Sequence, residues 1–533
     1  MIKKAPVQNL VCYLFKEEIK TFNDLFKKVD GKSLKKNFKR INKLDSIDFE
    51  IEGYLQNKHA APPKWLKELS TIFRFDNSIQ NISNSFVFFL KVENRIFAYT
   101  MGYAHHSLDK SKIEYDFGLK VTLNEIDHSN IRGIDVRKLT QTSHQKREIS
   151  SANSVLKDFE FDHNEEFINA LAGKAIDKTI ANSLIGKEAL KLSVELDLTN
   201  IYEYSKRLLK SYQKIDYKEK FDFIDNLKPI KDPTILAIMK QKAKLLFEDS
   251  KKASIILSYP NIDDFGFSKY KITYLNKSCE YEDINTEIIF QFIEEQKIEL
   301  SKIDLEKFSI SLLYDNCEPQ IYDIWDYLVF EFTDNNKTYL YTANQLLEIN
   351  PNYYNKLVSE ISHYEIQSIQ NLNILSFSHK NEGEYNEDFA DKNSSVCVCL
   401  DKDNFRDFPN RPNDQVEVCD LITSNKEFIC VKIYKKSSAP LSHLFMQGIV
   451  SAELLVEVKE YREKINSSVQ WSDFIDANIL NRNEITYVYA IVMEKNGTLS
   501  DNLPFFSKIS LRQSIKALEK MGFKVNILKI NYT

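Results

Sequence analysis

Apolar and polar positions along the chain fall into two kinds of pattern. Phe86–Val92 and Ile96–Met101, on either side of Glu93-Asn94-Arg95, are runs rich in aromatic and β-branched residues and predict a β-hairpin. A further strand is expected over Phe117–Leu123. Residues 196–250 carry helical spacing, interrupted near Pro229 and Pro233, and residues 285–375 mix short strands with helices. The remainder is more legible. A helix is expected over 383–391, then a strand at Ser395–Leu400 and a connection rich in Pro, Asn, Asp and Arg. A hairpin follows, made of Val416–Ile422 and Glu427–Tyr434. A helix begins near Pro440, where proline suits the first turn, and runs to about Leu455. A strand at Thr486–Met493 comes next. Ser510-x-x-Gln513 reads as a capping box opening a helix that ends at Gly522, ahead of a last strand at Phe523–Ile530. The order is αβββαβ with an added αβ.

These patterns predict an α/β, multidomain chain. Its expected parts are an N-terminal mixed α/β sensor or specificity domain (1–195), an α-rich middle region (196–375) and a C-terminal α/β domain (376–533). The 533 residues suffice for several separate cores. A hydrophobic fraction of 43% with 28% charged residues is that of a globular protein, not a disordered one.

Charge changes the picture locally more than globally. The net charge is −5, yet nine basic residues against two acidic lie between Lys20 and Lys43, and fifteen acidic against three basic lie between Glu280 and Asn335. Solvated faces are the ordinary account of both; contact of the basic stretch with nucleic acid, and covering of a basic groove or mimicry of its ligand by the acidic one, are the sharper alternatives. Twelve glycines leave no G-x-x-x-x-G-K-[ST] and no G-x-G-x-x-G, and H-E-x-x-H, C-x-x-C and G-x-S-x-G are also missing. Seven cysteines are too few and too scattered for a disulfide framework. With no signal-peptide core after Met1–Pro6 and no apolar run of membrane-spanning length, the expected setting is the cytoplasm, away from a membrane.

One constellation carries chemistry. Asp420 lies near the end of one hairpin strand and Lys432 lies on its partner. A carboxylate and a lysine at a sheet edge suit phosphodiester hydrolysis: the carboxylate holds Mg2+ or Mn2+, and the lysine orients or deprotonates water. A second carboxylate is needed, and Glu384 and Glu387 on the preceding helix are nearest by topology. His443, Gln447 and Ser451 share one face of the following helix, either lining the same cleft or serving as satisfied core polar groups. Register tests the idea. A two-residue turn at Ser424-Asn425 would put Asp420 and Lys432 on opposite sheet faces, whereas an odd-length loop or a bulge would put Asp420, Cys430 and Lys432 on one.

The pattern Asp420-x9-Cys430-x-Lys432 in αβββαβ order, followed by Gln447, resembles the PD-(D/E)XK restriction-endonuclease-like superfamily. The resemblance implies a C-terminal nuclease domain with Asp420 and Glu384 or Glu387 as metal ligands, Lys432 positioning water and Gln447 supporting substrate or lysine. Cys430 departs from it, standing where the superfamily carries an acid; a thiol is a soft ligand for a hard ion. The whole chain also resembles a sporadically distributed bacterial family of uncharacterised proteins associated with mobile elements and phage defence. That likeness rests on Gly102-Tyr103, Tyr115–Asn124, Glu384-Tyr385-Asn386, Cys419-Asp420-Leu421, Leu441–Gly448 and Leu503–Lys508. Together the two imply a defence nuclease acting on DNA or RNA, or a catalytically degenerate module that binds nucleic acid or a phage protein.

Lesser candidates have ordinary explanations. His105, His106, Asp109 and His128 suggest a metal site but suit a polar surface. Cys397 and Cys399 share a strand face as small hydrophobes, and Cys430 is a nucleophile only if Lys432 lowers its pKa. Arg132, Arg137, Lys138 and Gln141 either grip phosphates or form a solvated loop. The 27 tyrosines and 35 phenylalanines are mostly core, with some available to stack on single-stranded bases.

Overall fold

The computed structural model describes the chain apart from residues 1–4, 30–31, 58–61, 63–65, 67–68, 76–78, 81–83, 139–144, 160, 163–165, 231, 249–254, 258–267, 314–318, 343, 402–403, 406–415, 435–438, 495 and 533. Helices and sheets are mixed throughout. Internal contacts divide the described residues into two compact units: those within 1–225 form the first, and those within 226–313 and 319–533 form the second. No single helix among the described residues is long and apolar enough to cross a membrane.

The first unit is built on a ten-stranded sheet in which every neighbouring pair is antiparallel. Its order is Lys39–Ile41, Ile51–Asn57, Asn84–Val92, Arg95–Met101, Val7–Leu14, Leu190–Glu195, Ser183–Gly186, Glu166–Ala175, Ile126–Lys138, Gln145–Ser154. The expected hairpin is present, turning at Glu93, whose φ is +55°. Apolar side chains cover both faces near the centre. Leu10, Cys12, Phe97 and Tyr99 lie in a large cluster with the Ile201–Gln213 helix, and Tyr13, Phe15, Phe89 and Ala98 lie in a second cluster.

One expectation fails here. Phe117–Leu123 is not a strand but part of a helix, Phe117–Glu125, in which Phe117, Gly118, Leu119, Val121, Thr122 and Leu123 are all buried. An element buried on nearly every side loses the polar face that marks a helix, so a short apolar run reads as a strand. Close approach holds it in place: a Cβ on Gly118 would lie 2.1 Å from the Ala189 carbonyl oxygen, and one on Gly186 would lie 2.0 Å from that of Gly118.

The second unit contains a five-stranded sheet (Leu227–Pro229, Gln345–Ile349, Lys337–Thr342, Leu328–Asp334, Ile256–Leu257) and a four-stranded one (Lys277–Tyr281, Lys269–Tyr274, Phe308–Leu313, Gln320–Asp323). Its third sheet has six strands, ordered Glu365–Ile366, Lys524–Asn531, Thr486–Met493, Glu427–Ile433, Leu421–Thr423, Cys397–Cys399. The first four of these are parallel to one another, and the last two pair antiparallel. Val488, Ala490 and Val492 pack on one face with Tyr385 and Phe389 of the Glu382–Lys392 helix. On the other face the Tyr489 ring meets Phe445 of the Ala439–Glu457 helix at 5.1 Å, and its hydroxyl reaches Ser514 of the Phe505–Lys520 helix.

Two further expectations are corrected. The strand expected over Val416–Ile422 is split: Val416–Glu417 pairs with Asn404–Phe405 in a separate ribbon, and only Leu421–Thr423 joins the six-stranded sheet. Ser510-x-x-Gln513 opens no helix; it lies within Phe505–Lys520. The free amides of that helix's first turn, Phe505 and Phe506, are taken by the Glu331 carboxylate at 2.7 and 2.8 Å. Gly522, at φ +92°, follows the helix end as expected.

Candidate functional site

The Leu421–Thr423 and Glu427–Ile433 strands pair Leu421 with Ile429 and Ile422 with Phe428, so the connection is the three residues Ser424–Lys426, with Lys426 at φ +62°. An odd loop of this kind commonly needs one residue in the left-handed region. It shifts the register by one from the two-residue alternative. Just before Leu421 the ladder distorts. The Asp420 N–H donates to the Ile429 carbonyl (3.1 Å), the Asp420 carbonyl accepts from Leu400 N–H (2.8 Å), and the side-chain Oδ2 accepts the Val431 N–H at 2.6 Å. The break in the expected long strand is therefore what frees Asp420 to turn its carboxylate onto a backbone amide of its neighbour.

Asp420 keeps some surface accessible while its carboxyl group is enclosed. Burial pushes its pKa up to about 7; the negative charges of Asp401, Glu417 and Glu382 push the same way, and the Val431 N–H pulls against them. The site is thus a concentration of carboxylates in which one is held at the edge of ionisation at neutral pH.

Lys432 Nζ lies 2.7 Å from Oε2 of Glu382, both side chains being part-buried. The other oxygen of Glu382 accepts the Ile433 N–H at 2.9 Å. Glu382 is the first residue of the Glu382–Lys392 helix, and it meets the lysine where the sequence suggested Glu384 or Glu387. Glu384 is exposed and caps that helix: Asn381 Oδ1 accepts the Glu384 N–H (2.9 Å), and the Glu384 carboxylate returns to the Asn381 amide and the Lys380 N–H (3.2 and 3.3 Å). Glu387 is exposed on the same helix, and its charge is felt at Cys399. The Asn381-x-x-Glu384 spacing is a capping signal readable in the sequence, and it would have released Glu384 from the site.

From the opposite side, Gln447 Nε2 donates to Glu417 Oε2 at 3.1 Å, and Ser451 Oγ donates to the Val418 carbonyl at 2.7 Å. These two members of the polar stripe hold the segment leading to Asp420; His443, the third, is exposed. Gly448 admits the Tyr489 hydroxyl, which a Cβ would approach to 2.2 Å. Cys430 is buried, and burial with the nearby charges of Asp420 and Glu417 raises its thiol well above the usual range. It is a neutral packing group, and the nucleophile idea is withdrawn.

The donors around Asp420 are hard oxygens, the class Mg2+ takes, and their mutual repulsion is the kind a divalent cation relieves. As arranged, no three acidic, histidine or cysteine side chains among the described residues stand close enough together to hold an ion. Asp420, Glu382 and Glu417 therefore fit a cation in chemistry and charge, and would have to draw together to enclose one.

The other candidates do not assemble. His105 and His106 lie against each other, tilted, at 4.0 Å, Asp109 caps a short turn through Ser111, and His128 packs on Phe221. Cys397 is buried among apolar groups. Arg132 donates to the Ser151 carbonyl, Arg137 is buried, Lys138 is exposed at a strand end, and Gln141 lies outside the described residues.

No curated protein and no solved structure matches the chain. A family of unknown function, DUF6119, matches residues 10–531, a span that takes in both the ten-stranded sheet and the carboxylate–lysine cluster, and the chain belongs to that family.

Proposed function

We propose that the six-stranded domain is a restriction-endonuclease-like module that cleaves DNA or RNA phosphodiesters with Mg2+ or Mn2+, in bacterial defence against phage or mobile elements. The observation that supports it most is the meeting of Glu382, Asp420 and Lys432 at one end of a sheet reached in αβββαβ order. The defence setting rests on the sequence resemblance alone. Asp420 and Glu382 would hold the cation, with Glu417 as the carboxylate nearest to the role that Cys430 leaves unfilled. Once bound, the cation would offset charge on the phosphate and lower the pKa of a water. Lys432 binds the phosphate oxygen or orients the water, which requires it to exchange Glu382 for substrate. Asp420 takes up and releases a proton near neutral pH, so its charge follows the arrival of a cation. Gln447 keeps Glu417 directed at the cluster.

The test is cleavage of labelled single- and double-stranded DNA and RNA with Mg2+ or Mn2+. Lys432→Ala, Asp420→Ala and Glu382→Ala are each expected to lower the rate by at least about a hundredfold. Glu384→Ala and Glu387→Ala are expected to keep it. Metal-dependent cleavage that persists in the first three variants would sink the proposal.

A second reading is a nuclease-like fold that binds nucleic acid or a phage protein without cutting. It is favoured by the buried, neutral Cys430 and by the lack of three convergent ligands among the described residues. Binding by the wild type without cleavage at any metal concentration is its expected signature.

A further inference from the structure

We propose that the first unit carries a docking surface for single-stranded nucleic acid, formed where a lysine-rich segment runs beside an exposed stack of aromatic rings. The surface begins with a backbone pairing. Phe26 bridges Leu108 in antiparallel fashion, the Lys27 N–H donates to the Ser107 carbonyl at 2.8 Å, and the Asp109 N–H donates to the Leu25 carbonyl at 2.9 Å. Two features of the sequence with separate origins are thereby made neighbours.

The first is the basic stretch. It forms a ribbon (Lys28–Val29 with Lys32–Ser33), a turn over Leu34–Asn37 and the edge strand Lys39–Ile41. Lys28 and Arg40 are matched by Asp24 (3.5 Å) and Glu52 (2.7 Å). Lys27, Lys32, Lys36 and Lys39 are exposed and have no ion-pair partner among the described residues. Lysine on an edge strand guards against pairing with another chain. That account reaches Lys39 but not Lys27 or Lys36, which lie off the ten-stranded sheet.

The second is the turn after Met101. Tyr103 is 67% exposed, its ring stacks on His106 at 6.3 Å and 19°, and His106 lies 4.0 Å from His105. Partial burial, then His106, lower the His105 pKa; the Gly102 backbone opposes them, and Lys110 and Lys191 add to the lowering. Burial explains most aromatic rings in this chain, but not a tyrosine with two-thirds of its surface in water.

Unpaired ammonium groups attract phosphates whatever the base sequence, and exposed rings stack on bases. A duplex offers the first contact and withholds the second, because its bases are already stacked on one another. The combination therefore selects a single strand. This inference shares its partner class with the proposed nuclease reading but uses none of the residues of that site.

The test is fluorescence anisotropy on the full chain in EDTA, with labelled oligo-dT and oligo-U of about 20 nucleotides, long enough to span such a site. Tyr103→Ala is expected to weaken binding about tenfold, as loss of one stacked base does. The combined change Lys27→Glu, Lys32→Glu, Lys36→Glu is expected to weaken it further. It should also reduce the slope of log affinity against log salt by about 2, three phosphate contacts being lost. These side chains are exposed, so thermal unfolding should match the wild type. Glu384→Ala, an exposed helix cap in the second unit, is expected to bind as the wild type does, which controls for substitution itself. The relative affinity for oligo-dT and oligo-U identifies DNA or RNA as the preferred strand. The proposal is overturned by absence of binding, by equal affinity for duplex, or by binding that survives both N-terminal variants.

Discussion

The two large sheets solve the same burial problem in opposite ways. The ten-stranded sheet of the first unit is antiparallel from edge to edge, mixing hairpin neighbours with long-range pairings such as that of Val7–Leu14 with Leu190–Glu195. The six-stranded sheet has a parallel centre, and its Thr486–Met493 strand is buried at every position but the first. The parallel half is stiff and enclosed. Chemistry-bearing side chains collect where direction changes, at the junction between Glu427–Ile433 and the antiparallel strands beside it. A sheet of one kind has no such junction. In the antiparallel sheet the notable side chains lie instead on turns and edges outside the hydrogen-bonded lattice.

The contrast can be broken most forcefully in the first unit. Gly186→Val places a side chain where a single Cβ would already meet the Gly118 backbone, and should cost about 3–5 kcal/mol or prevent folding of that unit. Urea denaturation followed by limited proteolysis should show the first unit lost and the second retained. Joint unfolding of both would mean that the two sheets are not separate cooperative structures.

A smaller effect probes the junction itself. The Asp420 carboxyl keeps its proton to about pH 7 when folded, whereas an unfolded aspartate releases it near pH 4. The folded state therefore binds the extra proton between these values. Its stabilising contribution is complete below about pH 4 and is lost as pH rises through 7. Asp420→Asn retains an acceptor for the Val431 N–H and removes the titration. It should be more stable than wild type at pH 8 by at most about 4 kcal/mol, with the difference vanishing near pH 4. Thermal melts across that range measure it; a constant difference would show that the carboxyl is not perturbed.

The smallest effect concerns the helix cap. Glu331→Gln removes the charge that meets the Phe505 and Phe506 amides, and should cost about 1 kcal/mol in chemical denaturation. A cost near zero would mean that water replaces the carboxylate there.

Legibility in the sequence followed the range of the interactions. Thr486–Met493 and the helix from Ala439 were readable because their patterns are local. Asp420 and Lys432 were readable because a hairpin brings them together. Phe117–Glu125 was misread because burial on all sides erased its polar face, and the start of Phe505–Lys520 because its cap arrives from Glu331, 174 residues away in sequence. Glu382 was passed over although its neighbours Asn381 and Glu384 already signalled their own use. The pairing of Val7–Leu14 with Leu190–Glu195 has no local trace at all.

One pairing also sets a clock. Glu365–Ile366 finds its parallel partner only in Ile527–Leu528, roughly 160 residues later. At synthesis rates of about 5–20 residues per second, that gap corresponds to something on the order of 10–30 s on the ribosome. During that interval the Glu365–Ile366 strand has no neighbour in its sheet, and for the last few seconds of it the Thr486–Met493 strand waits for Lys524–Asn531. A sheet whose most buried strand is enclosed only by a later one depends on whatever shields a nascent chain until Lys524–Asn531 has emerged.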